Sequence, residues 1–159
     1  RAQPADAADA TTDQLESDVR LHHLGFVGPR IDPLQRRFAA EGGEALGAPV
    51  DDPVQRVTVQ FYREPGGVLW ELVVPLGDSE DSPLRTRLAR GGGLDHVCYE
   101  LDPEDPDLEA TVAAERTRGA VVVCAPVLAV AFGRRVAFVY RRSGRLIEFV
   151  EPRPPGAPL

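Results

Sequence analysis

Leu21-His22-His23-Leu24-Gly25-Phe26-Val27 recurs later in the chain as Leu94-Asp95-His96-Val97-Cys98-Tyr99-Glu100, with the apolar positions and one histidine in register. Apolar side chains alternating over seven residues mark both stretches as strands. Each is followed by an Asp-Pro pair, Asp32-Pro33 and Asp105-Pro106, which predicts a helix capped by the acid with the proline in its first turn. Both helices carry an apolar-Ala-Ala-Glu run, Phe38-Ala39-Ala40-Glu41 and Val112-Ala113-Ala114-Glu115, and run out at Gly42 and Gly119. Apolar runs at residues 57–62 and 68–75, and at 136–140 and 145–152, then read as hairpins turning at Gly66-Gly67 and Gly144. His23 and Glu71 are 48 residues apart, His96 and Glu148 52, so the two copies keep one register.

The fold class is α+β: two tandem β-α-β-β-β modules, residues 19–76 and 93–152, joined by a short helix at 82–91 capped by Ser82. Neither module is large enough to bury its own sheet face, so each is expected to pair with the other or with a second chain, the two modules together forming a metal-binding, barrel-like cleft. Outside this body at 19–152, residues 1–18 are Ala, Asp, Thr and Gln with little apolar surface to offset ordering, and read as a flexible leader. Residues 153–159 are a Pro-rich tail that cannot extend a sheet.

The 159 residues suit one domain, and 43% hydrophobic with 27% charged residues is a globular profile. A net charge of −7 excludes a basic nucleic-acid binder. All eighteen positive charges are arginine, and lysine, methionine and asparagine are absent, which reads as coding bias. No run approaches the ~18 apolar residues of a membrane span, and no signal peptide is evident, so a cytoplasmic location is expected. The first residue is Arg1 rather than methionine, as in a processed chain or a domain of a larger biosynthetic enzyme. Cys98 and Cys124 are too few for a disulfide framework or a thiolate zinc site and are expected as free thiols.

Strand alternation puts Leu69, Glu71 and Val73 on one face and Trp70, Leu72 and Val74 on the other, both apolar. Leu146, Glu148 and Val150 repeat the pattern against Ile147 and Phe149. A carboxylate buried this way needs a proton or a cation. A lone strand histidine or glutamate usually serves structure, but His23, Glu71, His96 and Glu148 fall at matching positions of two copies. Together they form a mixed nitrogen and oxygen set suited to Ni, Co, Mn, Fe or Zn. His22 is expected to face away from His23, with Asp95 in its place in the second copy. Cys98 reads as a small buried filler. Arg134-Arg135 reads as a solvated pair, as do Arg85, Arg87 and Arg90. Gln55, Cys98, Phe132 and Arg134 are carried as candidate substrate contacts.

Over about residues 21–152, the pattern His-x-x-apolar, Glu-Leu, His and Ile-Glu-Phe resembles the vicinal oxygen chelate superfamily of glyoxalases, epimerases and ring-cleaving dioxygenases. The runs Glu71-Leu72-Val73-Val74-Pro75-Leu76-Gly77 and Gly91-Gly92-Gly93-Leu94-Asp95-His96-Val97-Cys98-Tyr99-Glu100 look most like methylmalonyl-CoA epimerases and their relatives. The His-Glu-His-Glu set is similar to that of bacterial glyoxalase I; epimerases typically have glutamine where Glu71 stands. The resemblance implies a metal-stabilised enediolate formed by proton abstraction beside a carbonyl or thioester, with Glu148 as ligand and base and Glu71 beside it. It implies a small acyl or carbonyl substrate, CoA- or carrier-linked, and a homodimer. It also places a second base in the second strand, at Val54-Gln55 in this sequence, with Asp51 and Asp52 offset. A one-base isomerase or lyase therefore fits better than a two-base epimerase. The alternatives are a metal-free, resistance-type binding protein and a superfamily dioxygenase; a four-residue donor set argues against both.

Overall fold

The repeated sequence folds twice into the same unit. A computed structural model describes residues 20–77 and 79–157; the expected leader lies outside the described residues. The first copy comprises β1 (Arg20–Val27), α1 (Ile31–Ala40), β2 (Glu44–Asp52), β3 (Val57–Arg63) and β4 (Leu69–Pro75). A 3-10 turn (Ser79–Asp81) and a short helix α2 (Arg85–Ala89) lead to the second: β5 (Gly93–Glu100), α3 (Leu108–Thr117), β6 (Val121–Ala129), β7 (Arg134–Tyr140) and β8 (Leu146–Val150). Among the described residues no helix is long and apolar enough to cross a membrane.

The modules join edge to edge in one curled, mixed sheet of eight strands, ordered β2-β3-β4-β1-β5-β8-β7-β6. β1 and β5 form the antiparallel seam, while β1 with β4 and β5 with β8 run parallel. The seam is symmetric: His23 lies opposite Cys98, and Gly25 opposite His96. Curling brings the far ends of the sheet together. The Asp52 carboxylate at the end of β2 accepts a hydrogen bond from the Val130 backbone N–H just past β6, at 2.9 Å. From the same loop, Phe132 reaches the Phe61 ring at 5.3 Å, and Ala131 packs on Val27, Val57, Val59 and Val73.

Strand alternation sorts the apolar residues between the two sides. On the convex side Leu34 and Phe38 of α1 cover Tyr62, Leu72 and Val74, and Leu108 and Val112 of α3 cover Val139, Ile147 and Phe149. The concave side carries Val57, Val59 and Val73 in one module and Cys98, Val136 and Val150 in the other. Glu71 and Glu148 point into that concavity, as their alternation predicts.

Several boundaries differ from expectation. Asp32 lies inside the first turn of α1, where Arg30 takes the cap position without a side-chain bond. In the second copy the cap is Asp107, accepting from Ala110 N at 2.8 Å, because Asp105 is used one step earlier to accept from Asp102 N at 2.7 Å. The connecting helix shrinks to five residues: Ser82 makes a turn by accepting from Leu84 N, and Gly91, Gly92 and Gly93 all take positive φ, which terminates helix. Val54 and Gln55 lie in the turn after β2, not in the strand. Arg134 is not solvated, and Arg87 is only partly so. Arg134 is buried against Glu100 at 2.9 Å, and Arg87 pairs with Asp95 at 3.5 Å and donates to the Leu94 carbonyl at 2.9 Å.

Candidate metal centre

Four neighbouring strands at the middle of the sheet, β4, β1, β5 and β8, each contribute one polar side chain to the concave side. The symmetric seam fixes their meeting point. Nε2 of His23 lies 3.2 Å from Nε2 of His96, 3.4 Å from Glu71 Oε2 and 3.1 Å from Glu148 Oε2. His96 Nε2 lies 3.3 Å from each of the same two carboxylate oxygens. Nitrogen and oxygen atoms 3.1–3.4 Å apart are spaced as neighbouring donors around a first-row divalent metal, whose bonds to nitrogen or carboxylate oxygen are about 2.0 Å. All four side chains are buried, and Glu148 Oε2 has no hydrogen-bond partner. An ionised oxygen at such depth, met by two imidazole nitrogens but by no hydrogen bond, is costly unless a cation completes it. The donor set therefore fits a divalent ion.

Electrostatics agree with that reading. Burial opposes charge on both glutamates, but His23 and His96 outweigh it and hold both carboxyls below their ordinary range. Burial likewise opposes charging the histidines. Glu71 and Glu148 raise His23 nonetheless, and Asp95 with Glu148 and Glu71 raise His96 well above its usual value. In this arrangement protons and a cation compete for one pair of negative charges.

The ring nitrogens facing away from the centre are also committed. Nδ1 of His96 meets the Asp95 carboxylate at 3.1 Å, and Nδ1 of His23 meets Nδ1 of His22 at 2.8 Å. A proton on each Nδ1 leaves both Nε2 lone pairs directed at the centre. His22 was expected on the opposite face. The β1–β5 ladder slips between Leu21 and His23, and that bulge turns His22 to the same side. A second slip, between Gly25 and Phe26, lies opposite Asp95 and does the same in the other copy. Behind His22 stands Glu100, 3.5 Å from its Nε2 and bound by Arg134. Burial, then His23, pulls the His22 pKa down to about 4, so it is neutral. Alternation alone could not reveal these bulges, although the adjacency of His22 to His23 and of Asp95 to His96 was a usable signal.

Among the other candidates, Phe132 stacks on His23 at 5.7 Å with an interplanar angle of 26°. Gln55 lines the cleft and donates to Asp52 at 3.2 Å. Cys98 is fully buried beside the centre, and burial first, then Glu148, pushes its thiol pKa well up. Arg134 sits behind His22, outside the cleft lining. The cleft itself is a cavity of about 350 Å³ bounded by Val59, Glu71, His96, Cys124, Phe138 and Glu148. Cys124 in its wall was not singled out from sequence, where a thiol on an edge strand gives no periodic signal. The offset acids are engaged elsewhere: Asp52 accepts from Val54 N, Gln55 N, Gln55 Nε2 and Val130 N, and exposed Asp51 accepts from Thr58 Oγ1 at 2.6 Å.

Residues 22–138 match the Glyoxalase/Bleomycin resistance protein/Dioxygenase superfamily. An ethylmalonyl-CoA/methylmalonyl-CoA epimerase of Cereibacter sphaeroides is 35% identical over 85 residues, 52% of this chain. The chain spans 61% of that relative's length. Among solved structures, a hypothetical protein of Bacillus halodurans superposes with TM-score 0.70 at 27% identity, covering 87% of this chain and 98% of its own. Methylmalonyl-CoA epimerase from Mycobacterium tuberculosis superposes at 0.68, with 23% identity and coverage of 84% and 88%, a likeness of fold.

Proposed function

The chain belongs to the glyoxalase/bleomycin resistance protein/dioxygenase superfamily, and from that membership we propose that it is a metal-dependent epimerase or isomerase acting on the carbon beside an acyl-CoA thioester. The observation that carries this reading is the convergence of His23, Glu71, His96 and Glu148 on one buried point with an unpartnered carboxylate oxygen. Nickel, cobalt, manganese, iron or zinc suits the two imidazoles and two carboxylates. An ion bound there supplies Lewis acidity toward the substrate's carbonyl oxygens.

The chain's own groups supply the rest. Glu148, buried at the centre with an oxygen that no hydrogen bond satisfies, is the candidate base for the α-proton. Glu71 faces the same space from the other module and is the candidate to return a proton. Asp51 and Asp52 do not serve, since their oxygens are engaged at the sheet edge. A cavity of about 350 Å³ holds the acyl end of a substrate and leaves the nucleotide outside. The epimerase named for Cereibacter sphaeroides supports this substrate class. Exposed Val121, Val123 and Leu128 along β6 support a homodimer, which we place in the cytoplasm.

The test is metal content of the purified protein together with α-proton exchange of methylmalonyl-CoA in deuterated buffer, followed by NMR. About one metal per chain, and exchange abolished by chelator and restored by adding the metal back, are expected. Exchange that persists without metal, or a metal-loaded protein exchanging no acyl-CoA, overturns the reading.

A further inference from the structure

The two copies do not cover their convex faces equally. In the first, α1 packs on β2, β3 and β4, and Phe26, Phe38 and Trp70 fill the space beneath it with ring contacts at 5.4, 5.6 and 6.2 Å. In the second, α3 packs chiefly on β6 and β7. The repeat puts Val112 where Phe38 stands and Ile147 where Trp70 stands, so two large rings are missing. Beside the closely packed Val112 and Ile147, between α3, the outer face of β5 and β8, and the turn joining β7 to β8, lies a cavity of about 800 Å³. Its floor includes Tyr99, Leu101 and Phe149. Glu148 and Phe149 are adjacent on β8 and face opposite ways, so the sheet itself separates this cavity from the metal cleft.

The cavity wall carries three guanidiniums, Arg118, Arg141 and Arg142. One is spent: Arg141 binds the buried Glu115 carboxylate through Nε at 2.9 Å and a terminal nitrogen at 2.6 Å. Arg118 reaches that same carboxylate only at 3.6 Å. Asp105, the other acid in the wall, is taken up by the Asp102 N–H. Arg142 has no ion pair among the described residues. Its stem lies over Gly119, where an added Cβ would meet Arg142 Cδ at 2.9 Å, so the missing side chain lets Arg142 lie along the mouth. The cavity is thus apolar below and carries a surplus of positive charge at its opening.

We propose that this cavity is a second ligand site that binds an apolar organic acid, with an aromatic or aliphatic body on Tyr99, Leu101 and Phe149 and its carboxylate at Arg118 and Arg142. The volume lies within the ~300–1,000 Å³ usual for small-molecule sites. The proposal does not depend on the metal reading.

Decanoate is the probe, titrated by calorimetry into the full chain with and without chelator. One decanoate per chain, unaffected by the chelator, is expected. Ala114→Trp, at an exposed position of α3 in the cavity wall, should fill the space and weaken binding at least tenfold. Arg142→Glu should weaken it at least tenfold while Arg142→Lys retains most of it, and all three variants should keep the wild-type metal content. Arg142 is a surface residue, so its variants remain informative if Ala114→Trp does not fold. No binding to the wild type, binding unchanged by Arg142→Glu, or binding lost in Glu148→Gln instead, would each overturn the proposal.

Discussion

A methyl group on Gly25 would sit 2.0 Å from Cε1 of His96, inside the imidazole ring. The residue opposite a metal-facing histidine must therefore be small, and Cys98 meets the same need opposite His23. Gly25→Ala is expected to displace His96 and abolish tight metal binding at a cost of about 1–3 kcal/mol in stability, read by metal analysis beside a urea titration. Glu148→Gln should lower α-proton exchange by about 100-fold or more and reduce bound metal. His22→Ala and Asp95→Asn should leave the fold intact and weaken metal affinity by about 10–100-fold, measured by competition with a chromophoric chelator. Equal affinity in wild type and both variants would show that the two Nδ1 contacts do not orient the ligands. The four central residues were legible because in each copy an acid follows a histidine at a similar spacing, 48 and 52 residues. The role of His22 was hidden, since a bulge changes the facing of a side chain without leaving a mark on its hydrophobic pattern.

At the scale of elements, the parts that were legible are those whose apolar runs are bounded by turn signals. β1, β4, β5 and β8 and both long helices lie close to their expected spans, because apolar patterning and terminal glycines point the same way. The edge strands were not legible: β2 is exposed along nearly its whole length, so no face of it alternates. Helix starts were misplaced where two acids compete, and Asp107→Ala is expected to cost about 1 kcal/mol by thermal unfolding, more than Asp32→Ala at the uncapped α1. Asp52 joins the two ends of the sheet, gathering four donors from its own turn and from Val130. Asp52→Ala should therefore cost about 3 kcal/mol, seen as a lower urea midpoint with wild-type metal stoichiometry at low denaturant.

For the whole molecule, each module contributes one histidine and one glutamate, so an ion at the centre ties the copies across the β1–β5 seam. At a free metal concentration 100 times its dissociation constant the folded state gains about 2.7 kcal/mol. Chelation should then lower Tm by roughly 10 °C, and an unchanged Tm would separate metal binding from the stability of the seam. Stability also depends on pH through a group away from the centre. Burial alone would raise the Glu100 carboxyl, but Arg134 outweighs it and holds the carboxyl below its ordinary value of 4.5. A depressed carboxylate adds stability above that value and loses it as pH falls below it. Urea midpoints should drop on acidification from 4.5, and Glu100→Gln should flatten that drop while destabilising the protein at neutral pH by leaving Arg134 unpaired.

The seam also bears on which carboxylate does what. A centre on a true two-fold axis would make Glu71 and Glu148 equivalent and could not assign one to take a proton and the other to return it. Here the axis is broken at the first neighbours: an imidazole behind one histidine and a carboxylate behind the other, a glycine on one strand and a thiol on its mate. A division of labour between the two glutamates must come from these inequalities between the copies and from the unlike side chains lining the cleft, because the four residues of the proposed metal site are, by themselves, nearly equivalent in pairs.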